Sequence, residues 1–325
     1  MPLFYVAHRL FAAHDRALGA YLASRLARTA GADSVFLPFC DTDEENLASD
    51  CKGRLLFELD CDRLRRSTGM IAVLHGPSLD DGVCMEIGFA AASGVPVVLV
   101  STDFQEYAPR PGDPPLAFPD PLLEHLAASV IRAHRLGQPA GYTGTDRFRA
   151  FLGQNMAPVR TAAGQATAAL LKAVAEQQAA SDRGVPHSQD LVYLEPSPYL
   201  DDQAWAGLSD LLHARGWRIH IAERFKARAD PNAAARADWA AARAATVAVI
   251  DVRGPETPPG AALITGACAA AGKPVLAACS GTWHTLADGR EPNWRNLMIQ
   301  YAVTGRFSGI REFASALEAL PCRPT

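Results

Sequence analysis

The stretch DDGVCMEIGFAAASGVPVV, residues 80–98, decides the fold. Two aspartates and a glycine lead into a helical segment whose apolar residues leave almost no polar face, which predicts a buried helix. Gly94 and Pro96 end that segment, and the apolar run that follows predicts a strand. Glu86 lies inside the apolar helix, and a buried carboxylate needs a partner or a function.

The same alternation of short apolar runs and helical patterns extends back to the N-terminus. Continuous apolar strands separated by helices are typical of a parallel sheet covered on both faces, which is the doubly wound architecture. The predicted strands are 3–7, 34–39, 70–75 and 95–101, and the predicted helices are 12–29, 54–67 and 83–93.

The pattern then starts again in the second half of the chain. LVYLEP (191–196) mirrors LFYVAH (3–8), and GACAAAGKPVLAA (266–278) mirrors GFAAASGVPVVLV (88–100) without a gap. Two copies of this length exceed the period of any stacking repeat. We therefore predict an α/β chain with two flavodoxin-like or Rossmann-like doubly wound parallel-sheet domains in tandem.

The segment between the copies predicts helices at 122–136 and in the alanine-rich stretch 158–180. A proline-rich loop precedes them. The predicted organisation is a domain over 1–150 that carries the acids, a helical linker over 151–187 and a degenerate second copy over 188–325.

Composition narrows the class of function. The 325 residues carry a formal net charge of −4, which favours neither nucleic acid nor an anionic membrane surface as a partner. No apolar run reaches the roughly 18 residues of a membrane span, so a cytoplasmic location is expected. The seven cysteines show no metal-ligand spacing and predict buried thiols rather than a metal site.

Acidic residues collect where a doubly wound sheet binds ligands, beyond the carboxyl ends of its strands. His8 follows the first predicted strand, Asp41 the second and Asp80 the third. We expect Glu86 in the first turn of its helix. We also expect Asp60, on the preceding helix, to face the same crevice. An ionised carboxylate beside a protonated one can displace a group at an anomeric carbon. The alternative interpretations are a helix-dipole partner for Glu86, an N-cap for Asp80 and a solvated residue for Asp60.

With these residues, the first copy resembles the nucleoside 2-deoxyribosyltransferase family. The turn DDG with Gly82, three variable residues, Glu86-Ile-Gly and the later Gly-Val-Pro-Val-Val match its hallmark, as do the tyrosine of FYVAHRLF and Asp60. The resemblance implies that Glu86 attacks C1′ of the deoxyribose, that Asp80 and Asp60 manage the proton of the departing base, and that Tyr5 orients the nucleophile.

The resemblance also implies an asparagine, lent by a neighbouring subunit in an Asn-Leu-Met segment, that binds the 5′-hydroxyl. Only the second copy has this segment, with Asn296, and that copy has Ile264 opposite Glu86. Each half therefore lacks what the other has, which predicts a fused pseudo-dimer with one composite site, able to associate further as a homo-oligomer. Asn155 is the weaker alternative to Asn296.

The expected function is transfer of 2-deoxyribose between nucleobases through a glycosyl-glutamate, in nucleoside salvage. Nucleosides and nucleobases are the expected partners, with Tyr5, His8, Asp41, Gly82 and Asn296 as substrate-binding residues. No metal or cofactor is expected. Two alternatives stay open: an N-glycosidase acting on nucleosides or nucleoside 5′-monophosphates, and a nucleoside sensor that does not catalyse.

Overall fold

Strands and helices alternate along the first half of the chain. A computed structural model describes residues 2–42, 51–133, 143–178, 188, 190–200, 203–226, 230–279, 284–286 and 291–320. The first half contains β1 (Phe4–Ala7), α1 (Ala13–Ala30), β2 (Val35–Phe36), α2 (Lys52–Arg66), β3 (Gly69–Val73), α3 (Asp81–Ala92), β4 (Val97–Ser101), α4 (Pro121–Leu126), β5 (Ala127–Arg132) and α5 (Asp146–Gln178).

The second half repeats this series element by element, with a shorter final helix in the place of α5. It contains β6 (Leu191–Glu195), α6 (Gln203–Ala214), β7 (Arg218–Ile221), α7 (Pro231–Ala244), β8 (Val247–Asp251), α8 (Pro259–Ala270), β9 (Val275–Ala278), α9 (Leu297–Ala302), β10 (Gly305–Phe307) and α10 (Ile310–Glu318).

Each half builds one parallel sheet of five strands with the same strand order. The first sheet runs β2-β1-β3-β4-β5, and the second, read from the matching edge, runs β7-β6-β8-β9-β10. Every pair of neighbouring strands is parallel. The predicted fold class, two doubly wound α/β units in tandem, is confirmed.

Local chemistry sets the ends of α3. The Asp80 side chain caps the helix by accepting a hydrogen bond from the backbone N–H of Val83 at 2.9 Å. The chain leaves the helix through Gly94, whose φ of +76° lies in the left-handed region that glycine tolerates. Between these ends, Val83 to Ala90 are all buried, as the apolar pattern predicts.

The two halves meet where α3 crosses α8. A Cβ atom at Gly88 would overlap the backbone carbonyl of Leu263, and one at Gly266 would overlap the carbonyl of Met85. The helix backbones therefore touch through a reciprocal pair of glycines. One apolar core runs continuously from the first sheet, through both helices, to the second sheet.

The segment 122–136 differs from its prediction. The expected helix is only the short α4, and the chain then forms β5, which pairs with β4 as the edge of the sheet. The β-branched pair Val130 and Ile131 favours the extended conformation beside a strand that offers free backbone groups. Pairing with β4, rather than the local sequence pattern, therefore determines the conformation of residues 127–132.

The long α5 packs on the first sheet. Its side chains Ala163, Ala166 and Leu170 join the core that contains Phe4 and Val6 on the sheet face opposite α3. The helix inside the predicted linker is therefore part of the first unit, while the exact domain boundaries stay a prediction. In the described part of the chain, no helix has the length and apolar character needed to cross a membrane.

Candidate active site

Tyr5 and Glu86 form the centre of the candidate site. The phenol of Tyr5, fully buried on β1, donates a hydrogen bond of 2.6 Å to Oε1 of Glu86. Burial and the nearby charges of Asp60 and Glu86 raise the pKa of Tyr5 well above its usual value, so the phenol keeps its proton and donates it. Tyr5, Glu86 and Asp60 thus lie close to one another.

Glu86 lies deeper in its helix than predicted. The helix begins at Asp81, so Glu86 is in the second turn and not the first. Because the helix dipole acts mainly within the first turn, that dipole is a weaker reason for an ionised Glu86 than the sequence suggested. The hydrogen bond from Tyr5 is a more direct reason, because a donor at Oε1 favours the carboxylate form of Glu86.

Asp80 and Asp81 lie at the start of α3. Asp80 caps the helix through Oδ1, and its Oδ2 lies 3.7 Å from Nε of Arg9, so the capping interpretation of Asp80 holds beside any catalytic one. Burial raises the pKa of Asp80. Burial and the neighbouring charge of Asp80 raise the pKa of Asp81 to about 7. Asp81 belongs with Asp80 to the candidate loop after the third predicted strand, but the family resemblance implies a role for Asp80 alone.

Asn296 reaches the same place from the second half. It caps α9, its Oδ1 accepting a hydrogen bond of 3.0 Å from the backbone N–H of Met298. A Cβ atom added to Gly82 would lie 2.7 Å from Nδ2 of Asn296, so only a glycine leaves room for the amide there. The structure therefore brings Asn296 against the first turn of α3, as the composite-site hypothesis requires.

Other predicted residues lie outside this centre. The His8 ring is buried against Gly19 of α1, with its Nδ1 donating to the Arg9 carbonyl at 2.8 Å, and burial lowers its pKa. Asp41 is exposed and accepts a hydrogen bond of 2.7 Å from the N–H of Leu37, which is a local turn contact. The structure thus gives neither residue a contact with Glu86.

The alternative asparagine, Asn155, lies on the long helix α5. This helix covers the face opposite α3, and the amide of Asn155 donates to the carbonyl of Phe151 one turn earlier. The contact of Asn155 is thus within its own helix, and its role as an alternative to Asn296 stays a prediction. Its Asn-Met pair resembles the family segment in sequence only.

Comparison with known proteins identifies the first half. The family model described as nucleoside 2-deoxyribosyltransferase matches residues 4–147. Residues 4–147 match the nucleoside 2-deoxyribosyltransferase family. The resemblance stated from the turn at Asp80 and from Glu86 is thereby confirmed for this part of the chain.

Two solved structures are similar to part of this chain. A conserved protein from Enterococcus faecalis V583 is 30% identical over 32% of this chain, with a TM-score of 0.28, and the chain spans 65% of that protein's length. A 2-desoxiribosyltransferase from Leishmania mexicana is 21% identical over 40% of this chain and 98% of its own, with a TM-score of 0.33. No curated protein matches the chain.

The geometry around Glu86 suits nucleoside 2-deoxyribosyltransferase chemistry. A buried carboxylate held by a phenol can act as a nucleophile, and nearby carboxyl groups with raised pKa values can carry protons. Among the described residues, no cluster of three or more histidines, cysteines, aspartates or glutamates could hold a metal ion.

Proposed function

We propose that the chain transfers 2-deoxyribose between nucleobases, with Glu86 as the nucleophile. The observation that carries the proposal is the hydrogen bond from Tyr5 to Glu86, one helical turn from Gly82, which Asn296 contacts from the other half. The family match of residues 4–147 supports the same reaction class. The mechanism below follows from these positions.

The first step breaks the glycosidic bond. A carboxylate oxygen of Glu86 attacks C1′ of a deoxynucleoside, the C1′–N bond breaks with its electron pair going to the base, and a glycosyl ester forms. Tyr5, by donating to Oε1, fixes the orientation of the carboxylate for the attack. A 2-deoxy sugar eases this step, because it lacks the electron-withdrawing hydroxyl that would destabilise an oxocarbenium-like transition state.

The departing base needs a proton as it leaves. Asp80 and Asp60 are the carboxyl groups that the family resemblance assigns to this task, and Asp81 adds a third. With a pKa of about 7, Asp81 is protonated in a useful fraction of molecules near neutral pH. In the second step a different base attacks C1′, releases the Glu86 carboxylate and returns the proton.

The charges at the start of α3 favour a neutral sugar over a 5′-phosphate. Asp80, Asp81 and Glu256 approach this end of the helix, and Glu256 also accepts a hydrogen bond from Ser78 across the two halves. Arg9, the described cation beside Asp80, is paired with that carboxylate. A phosphate dianion would face several acids, whereas the Asn296 amide suits an uncharged 5′-hydroxyl.

A base-exchange assay tests the proposal. The protein is incubated with deoxyinosine and adenine, and chromatography measures deoxyadenosine and hypoxanthine. We expect Glu86→Gln to slow exchange by at least about 1,000-fold, because no nucleophile remains. Glu58→Gln, a matched change of an exposed glutamate on α2, is expected to leave the rate unchanged. Normal exchange by Glu86→Gln would refute the proposal.

The same assay separates the alternatives. Hypoxanthine formed without deoxyadenosine identifies a hydrolase, in which water rather than a base attacks the glycosyl ester. Binding of deoxyinosine without any product identifies a sensor. Repeating the assay with deoxyinosine 5′-monophosphate tests the charge argument, which predicts the faster reaction for the nucleoside.

A further inference from the structure

The second half contains a buried cluster of ionised groups at the place that corresponds to the first site. Arg224 is fully buried and contacts three carboxylates. Its Nε lies 2.8 Å from Asp120 Oδ1, its Nη1 lies 3.3 Å from Asp238, and its Nη2 donates to Glu195. The phenol of Tyr193 donates to Glu195 at 2.8 Å.

The cluster repeats the first pocket position by position. Tyr193 mirrors Tyr5 on the first strand of each half, and the ungapped alignment that pairs Gly266 with Gly88 also pairs Asp238 with Asp60. Each pocket therefore keeps the buried tyrosine and the helical aspartate. These two pairs fix the correspondence between the pockets.

The interface contact is repeated as well. Asn296 caps α9 in the second half and touches Gly82, while Asp120 caps α4 in the first half. A Cβ atom at Gly260 would lie 2.7 Å from Oδ2 of Asp120, just as one at Gly82 would meet Asn296. Each half thus lends one capping side chain to the pocket of the other.

The pockets differ in the group at their centre. Ile264 stands at the position of Glu86, and Glu195 on β6 supplies the carboxylate that the tyrosine holds. Arg224 lies four positions after His220, which pairs with Tyr193, and the exposed Cys40 lies four positions after Phe36, which pairs with Tyr5. The first half therefore has no arginine at the matching position.

We propose that Arg224 is the built-in ligand of the second pocket. Its guanidinium occupies the space between Tyr193, Asp238 and Asp120, so the second pocket is a guanidinium-binding site that the chain fills itself. Arg224 also pairs in bidentate fashion with Asp120, at 2.8 and 3.0 Å, which ties the halves together. This proposal does not depend on the reaction assigned to Glu86.

The shape and charge of the cluster suit a guanidinium ion. Its planar fork of N–H donors meets two carboxylates, those of Asp120 and Glu195, with paired contacts on different edges. His220 stacks on Tyr193 and contacts Asp238. Among the described residues, the titratable groups of the cluster around Arg224 are therefore Asp120, Glu195, Asp238, Tyr193 and His220. Removing the guanidinium leaves buried carboxylates without their cation.

Chemical rescue tests the proposal in the full chain. Arg224→Ala opens the pocket, and its melting temperature is measured with increasing methylguanidinium chloride or tetramethylammonium chloride. We expect a saturable rise of about 3 °C or more with methylguanidinium only, since binding to the native state raises its stability. The wild type, whose pocket is already filled, is expected to show no rise with either salt.

A lysine variant keeps the test decisive if the alanine variant does not fold. Arg224→Lys retains the charge and loses the fork, so its melting temperature is expected to fall by about 5 °C or more. A lysine variant as stable as the wild type would overturn the proposal. So would an alanine variant that melts like the wild type, or that responds equally to both salts. None of these outcomes changes with the result of the base-exchange assay.

Discussion

Replacing Gly88 by alanine should separate α3 from α8. Both helices are buried, and their backbones approach so closely at Gly88 that an added Cβ would overlap the carbonyl oxygen of Leu263. Backbone atoms cannot rotate away as the end of a side chain can. The helices must therefore shift apart or tilt, and the continuous core between the two sheets must loosen with them.

Two opposing effects set the magnitude. Alanine in place of glycine inside a helix gains about 1 kcal/mol of helix propensity. Forcing an extra methyl group into a close-packed core costs about 1–3 kcal/mol and sometimes more, and the overlap with a backbone carbonyl places Gly88 at the upper end or above. We expect a net loss of about 2 kcal/mol, which lowers the melting temperature of a chain of 325 residues by about 3 °C.

Thermal and urea unfolding of the purified chain measure this loss. Gly153→Ala is the matched control, because Gly153 lies within α5 and an added Cβ there would meet no atom within 4 Å. The control is expected to be as stable as the wild type or more stable. If Gly88→Ala also melted at or above the wild-type temperature, the close crossing of α3 and α8 would be refuted.

Three further changes probe the candidate site. Tyr5→Phe removes the hydrogen bond to Glu86, and we expect kcat of base exchange to fall about 10- to 100-fold with KM little changed. Gly82→Ala displaces the amide of Asn296, and we expect kcat/KM to fall about 10- to 100-fold. Asp81→Asn should stabilise the chain more at pH 8 than at pH 5 in thermal melts. With its pKa raised from 3.8 to about 7, the folded Asp81 binds its proton more tightly than the unfolded chain does. Stability therefore falls as the pH rises from 3.8 to about 7 and then levels off, whereas asparagine stays neutral.

Each of these expectations has an outcome that contradicts it. Tyr5→Phe with wild-type kcat would mean that the phenol does not orient Glu86. Gly82→Ala with wild-type kcat/KM would separate the Asn296 contact from substrate binding. Equal stabilisation of Asp81→Asn at both pH values would show that the carboxyl titrates normally.

Much of the fold could be predicted because local signals and tertiary structure agree there. The buried pattern of α3, the exit at Gly94 and the mirrored segment around Gly266 all lead to the doubly wound unit and its repetition. β5 could not be predicted, since its pairing with β4 depends on an edge that exists only in the folded sheet. Helical spacing in 122–136 gave the wrong answer for that reason.

The site was predictable to a similar extent. Glu86, Tyr5 and Asn296 were selected from the sequence, and the structure brings each of them to one end of α3. Asp41 was selected from its place after a strand, but its carboxylate accepts a hydrogen bond from the backbone N–H of Leu37 in the same turn. Arg224 could not be found, because an arginine in a loop looks like any solvated cation until its three carboxylate partners are placed around it.

The two pockets can differ because both halves belong to one chain. In a symmetric dimer of identical chains, a substitution appears in both pockets at once, so an arginine that fills one pocket fills the other. A fused chain removes this constraint: Asn296 and Asp120 occupy matching caps, yet only Asp120 carries the charge that Arg224 requires. An aspartate in place of Asn296 would add another negative charge beside Asp80 and Asp81, and an asparagine in place of Asp120 would leave Arg224 short of one carboxylate. The amide and the carboxylate are therefore not interchangeable, and each cap is fitted to the pocket that it completes.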